Sequence, residues 1–201
     1  MASASKSIFQ ISTARLNITH FDPYNPTHTS FLVTLYNNPE ILATNGGVAS
    51  FIPTVEAAQA HLERNQAKIE ERGYGQLLVS LKPTNPTFQT DTDMIGMVSL
   101  KLRTGSPGFI APDLGYGLLP QYHRKGYASE AARGLMEYAQ RELGVKDMLA
   151  FCDDCNEGSK AVLQKLGFVN CGVHELKPFG GKKGCVWMRE GMTRDLGVWE
   201  S

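Results

Sequence analysis

Residues 114–128 combine a strand, a basic loop and a helix in an order that suits the binding of a phosphorylated ligand. Leu114, Tyr116 and Leu118 alternate with glycines as in a strand, and Pro120 ends the pattern because it has no amide hydrogen to donate. The loop that follows contains His123, Arg124, Lys125, Gly126, Tyr127 and Ala128. The first amides of a helix lack internal partners and carry the positive end of the helix dipole, so a phosphate satisfies them. On these residues alone, an ordinary solvated basic turn is an equally open interpretation.

Two helices with exposed N-termini are predicted, each directly after a strand. The first, at 128–142, is indicated by apolar residues at intervals of three and four, which form one stripe: Ala128, Ala132, Leu135, Met136, Ala139 and Leu143. The second, at 156–166, has Asn156 and Ser159 at its N-terminus and Gly167 at its end.

The composition is that of an ordinary globular domain. The chain has 201 residues, and its 20 basic and 20 acidic side chains cancel, which gives no support for nucleic acid or an anionic membrane as partner. The N-terminus lacks the apolar core of a signal peptide, and no run reaches the roughly 18 apolar residues of a membrane helix. We therefore expect a cytoplasmic protein with one domain over 1–201, residues 1–8 being a flexible N-terminus and the four cysteines reduced.

Hydrophobic patterns and turn residues predict the remaining elements. Strands are predicted at 11–19, 76–82, 94–102, 113–119, 147–151, 168–172 and 185–192. Further helices are predicted at 28–37 and at 55–72, the latter between an N-cap at Thr54 and a stop at Gly73. The absence of repeats and linkers favours a single α/β unit with a mixed sheet.

With these segments in place, the chain resembles the GNAT superfamily of N-acetyltransferases, most closely its RimJ/RimL-like branch. The matching residues are Thr13, Arg15 and Leu16 in the first strand, 113–116 in the fourth, and Lys165, Gly167 and Phe168 near the end. The family loop reads glutamine or arginine, two variable residues, glycine, one variable residue, then glycine or alanine, and His123 departs from it at the first position. The resemblance implies an α/β (α+β) GNAT fold. Its mixed, mostly antiparallel sheet would have about six to seven strands, flanked by about four helices and splayed between the fourth and fifth strands.

The resemblance also implies an activity, the transfer of an acetyl group from acetyl-CoA to a primary amine by direct attack in a ternary complex, without a metal. The acceptor would be an amine-bearing small molecule or a protein N-terminus, with no nucleic acid or membrane as partner, and the protein a monomer or homodimer. The implied coenzyme-binding residues are Gly117, Leu118, Leu119, His123, Arg124, Lys125, Gly126, Tyr127, Ala128, Asn156 and Ser159. The amide of Leu118 or Leu119 would polarise the thioester carbonyl, an interaction typically worth about 3 kcal/mol.

The catalytic side chains follow from the same resemblance. Asp113 is the first candidate for the general base, because the family often has a glutamate at that point of the fourth strand. Glu175 and His174, just beyond the predicted strand 168–172, are the next candidates. Each of the three also fits an ordinary surface group or strand-end cap.

The resemblance also implies an acid that would protonate the departing thiolate. Many family members have a tyrosine where this chain has Leu163, and the RimJ/RimL-like branch implies Ser159 as the substitute. Lys160 and Lys165 are interpreted as solvated lysines, although they would reach an outer phosphate of the coenzyme. The loops 45–51 and 173–184 are the expected walls of the acceptor pocket.

Three other functions compete with this interpretation. Cys152 and Cys155 form a CxxC, but a second close pair and a suitably spaced histidine are missing, so zinc or redox chemistry is disfavoured. A dinucleotide site is disfavoured because the loop lacks GxGxxG. A coenzyme A binding protein without transferase activity stays open, because of Leu163 and the altered loop.

Overall fold

The computed structural model describes residues 9–44, 50–83, 94–103, 109 and 111–192. Within them eight strands form one sheet: β1 Gln10–Ser12, β2 Leu16–His20, β3 Gln76–Leu81, β4 Met94–Lys101, β5 Asp113–Leu118, β6 Leu149–Cys152, β7 Phe168–Leu176 and β8 Lys182–Arg189. The same residues form five α-helices: α1 Pro26–Tyr36, α2 Pro39–Thr44, α3 Val55–Arg72, α4 Tyr127–Leu143 and α5 Glu157–Lys165. Short 3₁₀ turns cover Pro120–Tyr122 and Lys177–Phe179.

The sheet has the order β1-β2-β3-β4-β5-β6-β8-β7. Its neighbours are antiparallel except β5 and β6, which run parallel and pair only where Asp113 lies opposite Leu149. Beyond that point the two strands separate, so a gap opens between β5 and β6 toward Leu118. The predicted mixed, mostly antiparallel fold is confirmed, and the gap lies between the two strands for which a splay was expected.

The predicted number of elements was too small. The predicted strand 11–19 is a hairpin, because the chain turns at residues 13–15 and β1 pairs back on β2. The short helix α2 was not predicted. It begins with Pro39, and the Asn38 side chain accepts the amide of Glu40 at 3.0 Å, which is a local capping signal.

The two faces of the sheet are covered by different helices. On one face α4 packs against β2, β4 and β5 through a buried stripe that includes Ala132, Leu135 and Ala139, as its spacing predicted. On the other face α1 and α3 cover β3 and the start of β4 with Leu32, Leu62 and their neighbours. Full burial of such a leucine contributes roughly 1.5–3 kcal/mol, so both layers hold the sheet in place.

Helix ends are set by local chemistry that the sequence predicted. The Thr54 side chain accepts the amide of Ala57, and Gly73 ends α3 in the left-handed conformation. None of the helices in the described ranges is long and apolar enough to cross a membrane.

Candidate active site

The alternation of hydrogen bonds between β4 and β5 decides which backbone groups of β5 face the gap. The Leu119 amide donates to the Ile95 carbonyl at 2.9 Å, and the register continues with Gly117 opposite Met97 and Gly96 opposite Leu118. In an antiparallel ladder every second opposed pair exchanges hydrogen bonds. Gly117 is therefore bonded to β4 in the same way as Leu119, whereas the amide and carbonyl of Leu118 point away from β4, into the gap.

The two amides expected as candidates for polarising the thioester differ in their surroundings. The Leu119 amide is already bonded to β4. The amide of Leu118 faces the gap, and Tyr116, two residues earlier, faces it too. The backbone of Gly117, which was expected to contact the coenzyme, faces β4, whereas that of Tyr116 faces the gap. The sequence predicts that alternate residues of a strand face the same way, but not which residues of β5 bond to β4.

The loop before α4 presents unpaired amides. Arg124 has φ 60° and is the one non-glycine residue with positive φ in the described part of the chain, and Gly126 follows with φ 80°. No side chain caps α4, and the first amide to bond inside the helix is that of Glu130, to the Gly126 carbonyl at 3.0 Å. The amides of residues 127–129 have no hydrogen-bond partner among the described residues. They form a positive set of donors that fits a phosphate.

His123 lies in this loop but contacts the strand. Its Nε2 is 2.8 Å from the Leu118 carbonyl oxygen, to which a protonated Nε2 donates. The histidine thereby ties the loop to the end of β5.

A clamp from the β1–β2 turn holds the first turn of α4. One carboxylate oxygen of Glu130 accepts from the Thr13 hydroxyl at 2.6 Å and from the Arg15 amide at 2.7 Å, and the other accepts from Arg15 Nε at 2.7 Å. Arg15 also donates to the Lys125 carbonyl at 3.0 Å and lies over the Tyr127 ring. Although partial burial raises the pKa of Glu130, the hydrogen bonds from Thr13 and Arg15 outweigh it and hold the pKa below its usual value. Glu130 was missed by the sequence analysis.

The opposite side of the gap is formed by the N-terminus of α5. Asn156 caps the helix, its Oδ1 accepting the Ser159 amide at 2.9 Å, which leaves its amide NH₂ for other contacts. The Tyr116 hydroxyl donates to the Ser159 carbonyl at 3.2 Å, so the tyrosine bridges β5 and α5. Burial raises the pKa of Tyr116, which keeps it protonated. Leu163 is buried in the core.

Asp113 lies at the closed end of the gap and is held by cations. Arg103 Nε is 3.0 Å from Asp113 Oδ1, and Arg103 donates to Oδ2 at 3.3 Å. Burial raises the pKa of Asp113, and Arg103 and Lys101 oppose that rise. Five residues along β5 separate it from Leu118, roughly 17 Å, so a proton would reach it from the thioester only through water.

Glu175 and His174 are placed farther away than the sequence suggested. Strand β7 extends to Leu176, so both residues lie within it rather than beyond it. It is the outermost strand, three positions from β5 in the sheet, which is roughly 14 Å at the usual strand spacing. The His174 ring nitrogen lies 2.8 Å from the Cys171 carbonyl, and Glu175 is exposed opposite Lys183.

Lys160 and Lys165 both lie on α5. Lys160 pairs with Asp154 and Glu157 at 3.0 Å each, and Lys165 lines a surface groove of about 690 Å³ along α4 that begins at Lys125.

In the loop 173–184, which was expected to line the acceptor pocket, only the turn between β7 and β8 is not strand, because both strands are longer than predicted. Residues 45–49 of the other loop lie outside the described residues, whereas Phe51 packs against Tyr36 and His61.

The comparison with known proteins decides the family. The sequence profile described as Acetyltransferase (GNAT) domain matches residues 15–169, well over half of the chain. The chain belongs to the GNAT acetyltransferase family. A curated relative, the uncharacterized N-acetyltransferase YnaD of Bacillus subtilis, is 28% identical over 129 residues, which cover 62% of this chain and 67% of YnaD.

Solved GNAT structures share the fold. An acetyltransferase from Agrobacterium tumefaciens has a TM-score of 0.66 at 21% identity, with 94% of this chain and 99% of that chain covered. RimL, a ribosomal-protein α-N-acetyltransferase solved with coenzyme A, has a TM-score of 0.67 at 19% identity, with 90% and 97% covered. At these identities the likeness concerns the fold alone.

The CxxC motif has a structural setting of its own. Cys152 ends β6 opposite Cys185, Cys155 is exposed, and α5 begins at Glu157, after both cysteines as predicted. In the described ranges no group of three or more histidine, cysteine, aspartate or glutamate side chains is arranged to hold a metal ion.

Proposed function

We propose that this GNAT protein is an N-acetyltransferase of the RimJ/RimL-like branch, which moves an acetyl group from acetyl-CoA to a primary amine in a ternary complex. The observation that carries the proposal is the pairing of two sets of unsatisfied backbone donors on one strand–loop–helix segment. The Leu118 amide faces the gap, and the amides of residues 127–129 form an uncapped helix N-terminus. A pantetheine arm with a pyrophosphate at its far end satisfies both.

This geometry supports a set of coenzyme-binding residues. The loop amides around Gly126, with Arg124 and Lys125 beside them, would hold the pyrophosphate. The backbone of Tyr116 and Leu118 would bind the pantetheine arm, and Asn156 and Ser159 would contact it from the α5 side. His123, whose ring contacts the Leu118 carbonyl, would hold the loop against β5.

The chemistry needs little from side chains. The Leu118 amide would donate to the thioester oxygen as negative charge develops there, while the amine nitrogen bonds to the carbonyl carbon and the carbon–sulfur bond breaks. Asp113 would accept the ammonium proton through water. The Ser159 hydroxyl, with Tyr116 beside it, would protonate the leaving thiolate, which is stable enough to leave with a weak acid.

The acceptor is an amine-bearing small molecule or a protein N-terminus, the latter supported by the likeness to RimL. The alternative, a coenzyme A binding protein without transferase activity, was suggested by Leu163 at the position of the usual tyrosine, and the match to the acetyltransferase family does not favour it.

Two measurements on the full chain separate these candidates. Isothermal calorimetry measures the affinity for acetyl-CoA, and thiol release is followed with a panel of amines, amino acids and peptides. We expect tight binding and amine-dependent release. Binding without release from any amine would leave only the coenzyme A binding function, and no binding would refute both.

A further inference from the structure

The sheet face under α1 and α3 has a polar floor beside the gap. Gln76, Ser99 and Gly115 lie opposite one another on β3, β4 and β5. One row farther from Leu118, Lys101 lies opposite Asp113, and one row nearer, Gly117 lies opposite Met97. Side chains of alternate residues share a face, so these rows form one surface. Gly115 and Gly117 are partly exposed and have no side chain to block the way from the gap to the floor.

Gln76 carries a donor that no described residue satisfies. The side chain is fully buried, and its Oε1 accepts from the Tyr36 hydroxyl at 3.2 Å and lies 3.1 Å from His61 Nε2. Its Nε2 has no hydrogen-bond partner in the described part of the chain. A buried donor left unpaired costs about 1–3 kcal/mol, and an acceptor atom of a ligand would remove that cost.

The charges around this floor favour an anion. Tyr36 and His61 are neutral near pH 7, because burial raises the pKa of Tyr36 to about 12 and lowers that of His61 to about 4. Two cations, Lys101 and Arg103, then face one carboxylate, Asp113. The other charged groups that act on Lys101 and His61 are Arg64 and Lys68 of α3, which add positive charge.

Arg103 and Lys101 are both available to a ligand. Arg103 lies over the Phe179 ring at 4.1 Å and keeps a third of its side chain exposed, and its Nε contact with Asp113 lacks hydrogen-bond alignment. Burial lowers the pKa of Lys101 to about 8, Asp113 partly opposing it, so Lys101 is cationic near neutral pH and would gain from an added carboxylate.

We infer that the acceptor is a primary amine that carries a carboxylate beyond a short spacer, and that Lys101, Arg103 and Gln76 bind this carboxylate. The inference rests on the proposed acetyl transfer. The Gln76 row is three residues from Leu118, roughly 10 Å along the strand, and the long Lys101 and Arg103 side chains shorten that distance for a ligand. An ω-amino acid or a dipeptide spans it, whereas a free α-amino acid does not.

Matched acceptors test whether a carboxylate on the acceptor amine improves its use. At saturating acetyl-CoA, kcat/KM is measured by thiol release for 6-aminohexanoate, 6-aminohexanamide and 1,6-diaminohexane. A second series compares glycylglycine with glycylglycine amide and with glycine. We expect each carboxylate acceptor to exceed its amide by about tenfold or more, the diamine to be poorest of its series, and glycine to be poorer than glycylglycine. The KM for 6-aminohexanoate should rise above pH 8, as Lys101 loses its proton.

Substitutions test whether Lys101 is responsible for the preference for a carboxylate. In Lys101→Met the advantage of 6-aminohexanoate over its amide, both measured in the same variant, should fall to threefold or less, with the acetyl-CoA affinity unchanged. Lys146→Met removes an exposed lysine outside the cleft and should leave the advantage intact.

Each outcome decides one of the two proposals. Equal use of all the matched amines, or use only of amines without a carboxylate, would overturn the acceptor inference while acetyl transfer stands. An undiminished preference in Lys101→Met would also overturn it. If acetyl-CoA binds but neither these amines nor the wider panel release thiol, acetyl transfer fails and the acceptor inference fails with it.

Discussion

Substitution of Gly96 by alanine tests the assignment of the Leu118 amide. Gly96 lies opposite Leu118 in the ladder position where two strands approach most closely. A Cβ at Gly96 would lie 2.2 Å from the Gly117 carbonyl oxygen and 2.8 Å from Leu118 Cα, whereas real Cβ contacts are essentially never under 3.0 Å. The end of β5 must therefore move away from β4 by about 0.8 Å or more, because backbone atoms, unlike the end of a flexible side chain, cannot turn aside.

This displacement acts on the proposed oxyanion donor but spares the phosphate loop. A misplacement of about 1 Å, or loss of one oxyanion donor, lowers kcat about 100-fold. Acetyl-CoA affinity should change much less, because the uncapped N-terminus of α4 is not contacted by Gly96. The assay is thiol release under saturating acetyl-CoA and amine, with calorimetry for the affinity.

A variant with comparable loss of stability separates misplacement from partial unfolding. Leu135→Ala removes a fully buried side chain of α4 and should cost about 2–5 kcal/mol without moving Leu118. Both variants are assayed at a temperature where circular dichroism shows them folded. If folded Gly96→Ala turns over within about threefold of Leu135→Ala, the Leu118 amide is not the donor.

Two further predictions concern charged groups beside the cleft. Glu130→Gln should lower the free energy of unfolding by about 1–3 kcal/mol at pH 7 and weaken acetyl-CoA binding several-fold, because the Arg15 clamp on the loop loosens. Since the folded-state pKa of Glu130 is lowered, the difference in thermal stability from wild type should be full above about pH 4.5 and disappear as the pH falls through the folded-state pKa; a difference that persists in acid would argue against the ion pair. Asp113→Asn should lower kcat and flatten the acidic limb of the pH–rate profile, which for the wild type should lie higher than that of an exposed aspartate because burial raises the pKa. An unchanged profile would assign proton removal to water or to another group.

Local signals predicted much of the fold, including the order of strand, loop and helix around residues 114–128. The stripe of α4, the cap at Thr54 and the stop at Gly73 depend on neighbours in sequence, and all were predicted. The hairpin at β1 and β2 was missed, because a turn of three residues without glycine or proline resembles a continuous strand. The register between β4 and β5 was also not predictable. The hydrophobic pattern determines which side chains share a face, but not which backbone amides of β5 bond to β4.

Side chains that meet only through the tertiary fold were the other omission. Glu130 is 115 residues from Arg15, and Gln76 meets Tyr36 from 40 residues away. A lone glutamate in a helix, or a glutamine at the start of a strand, carries no local signal of such a partner. The charge of the polar floor depends on contacts between residues that are far apart in the sequence. The sequence alone therefore did not indicate the class of acceptor.

In the proposed mechanism the site would tolerate two departures from the family pattern for one physical reason. His123 and Leu163 replace side chains that the family pattern favours, yet the groups assigned to charge stabilisation are backbone amides, which no single side-chain change removes. Those amides are positioned by the β4–β5 register and by the Arg15–Glu130 clamp. Selection for activity should therefore act most strongly on residues that hold the backbone, such as Gly96 and Glu130. The acid at the thiolate is less constrained, because a thiol near its own pKa leaves without full protonation.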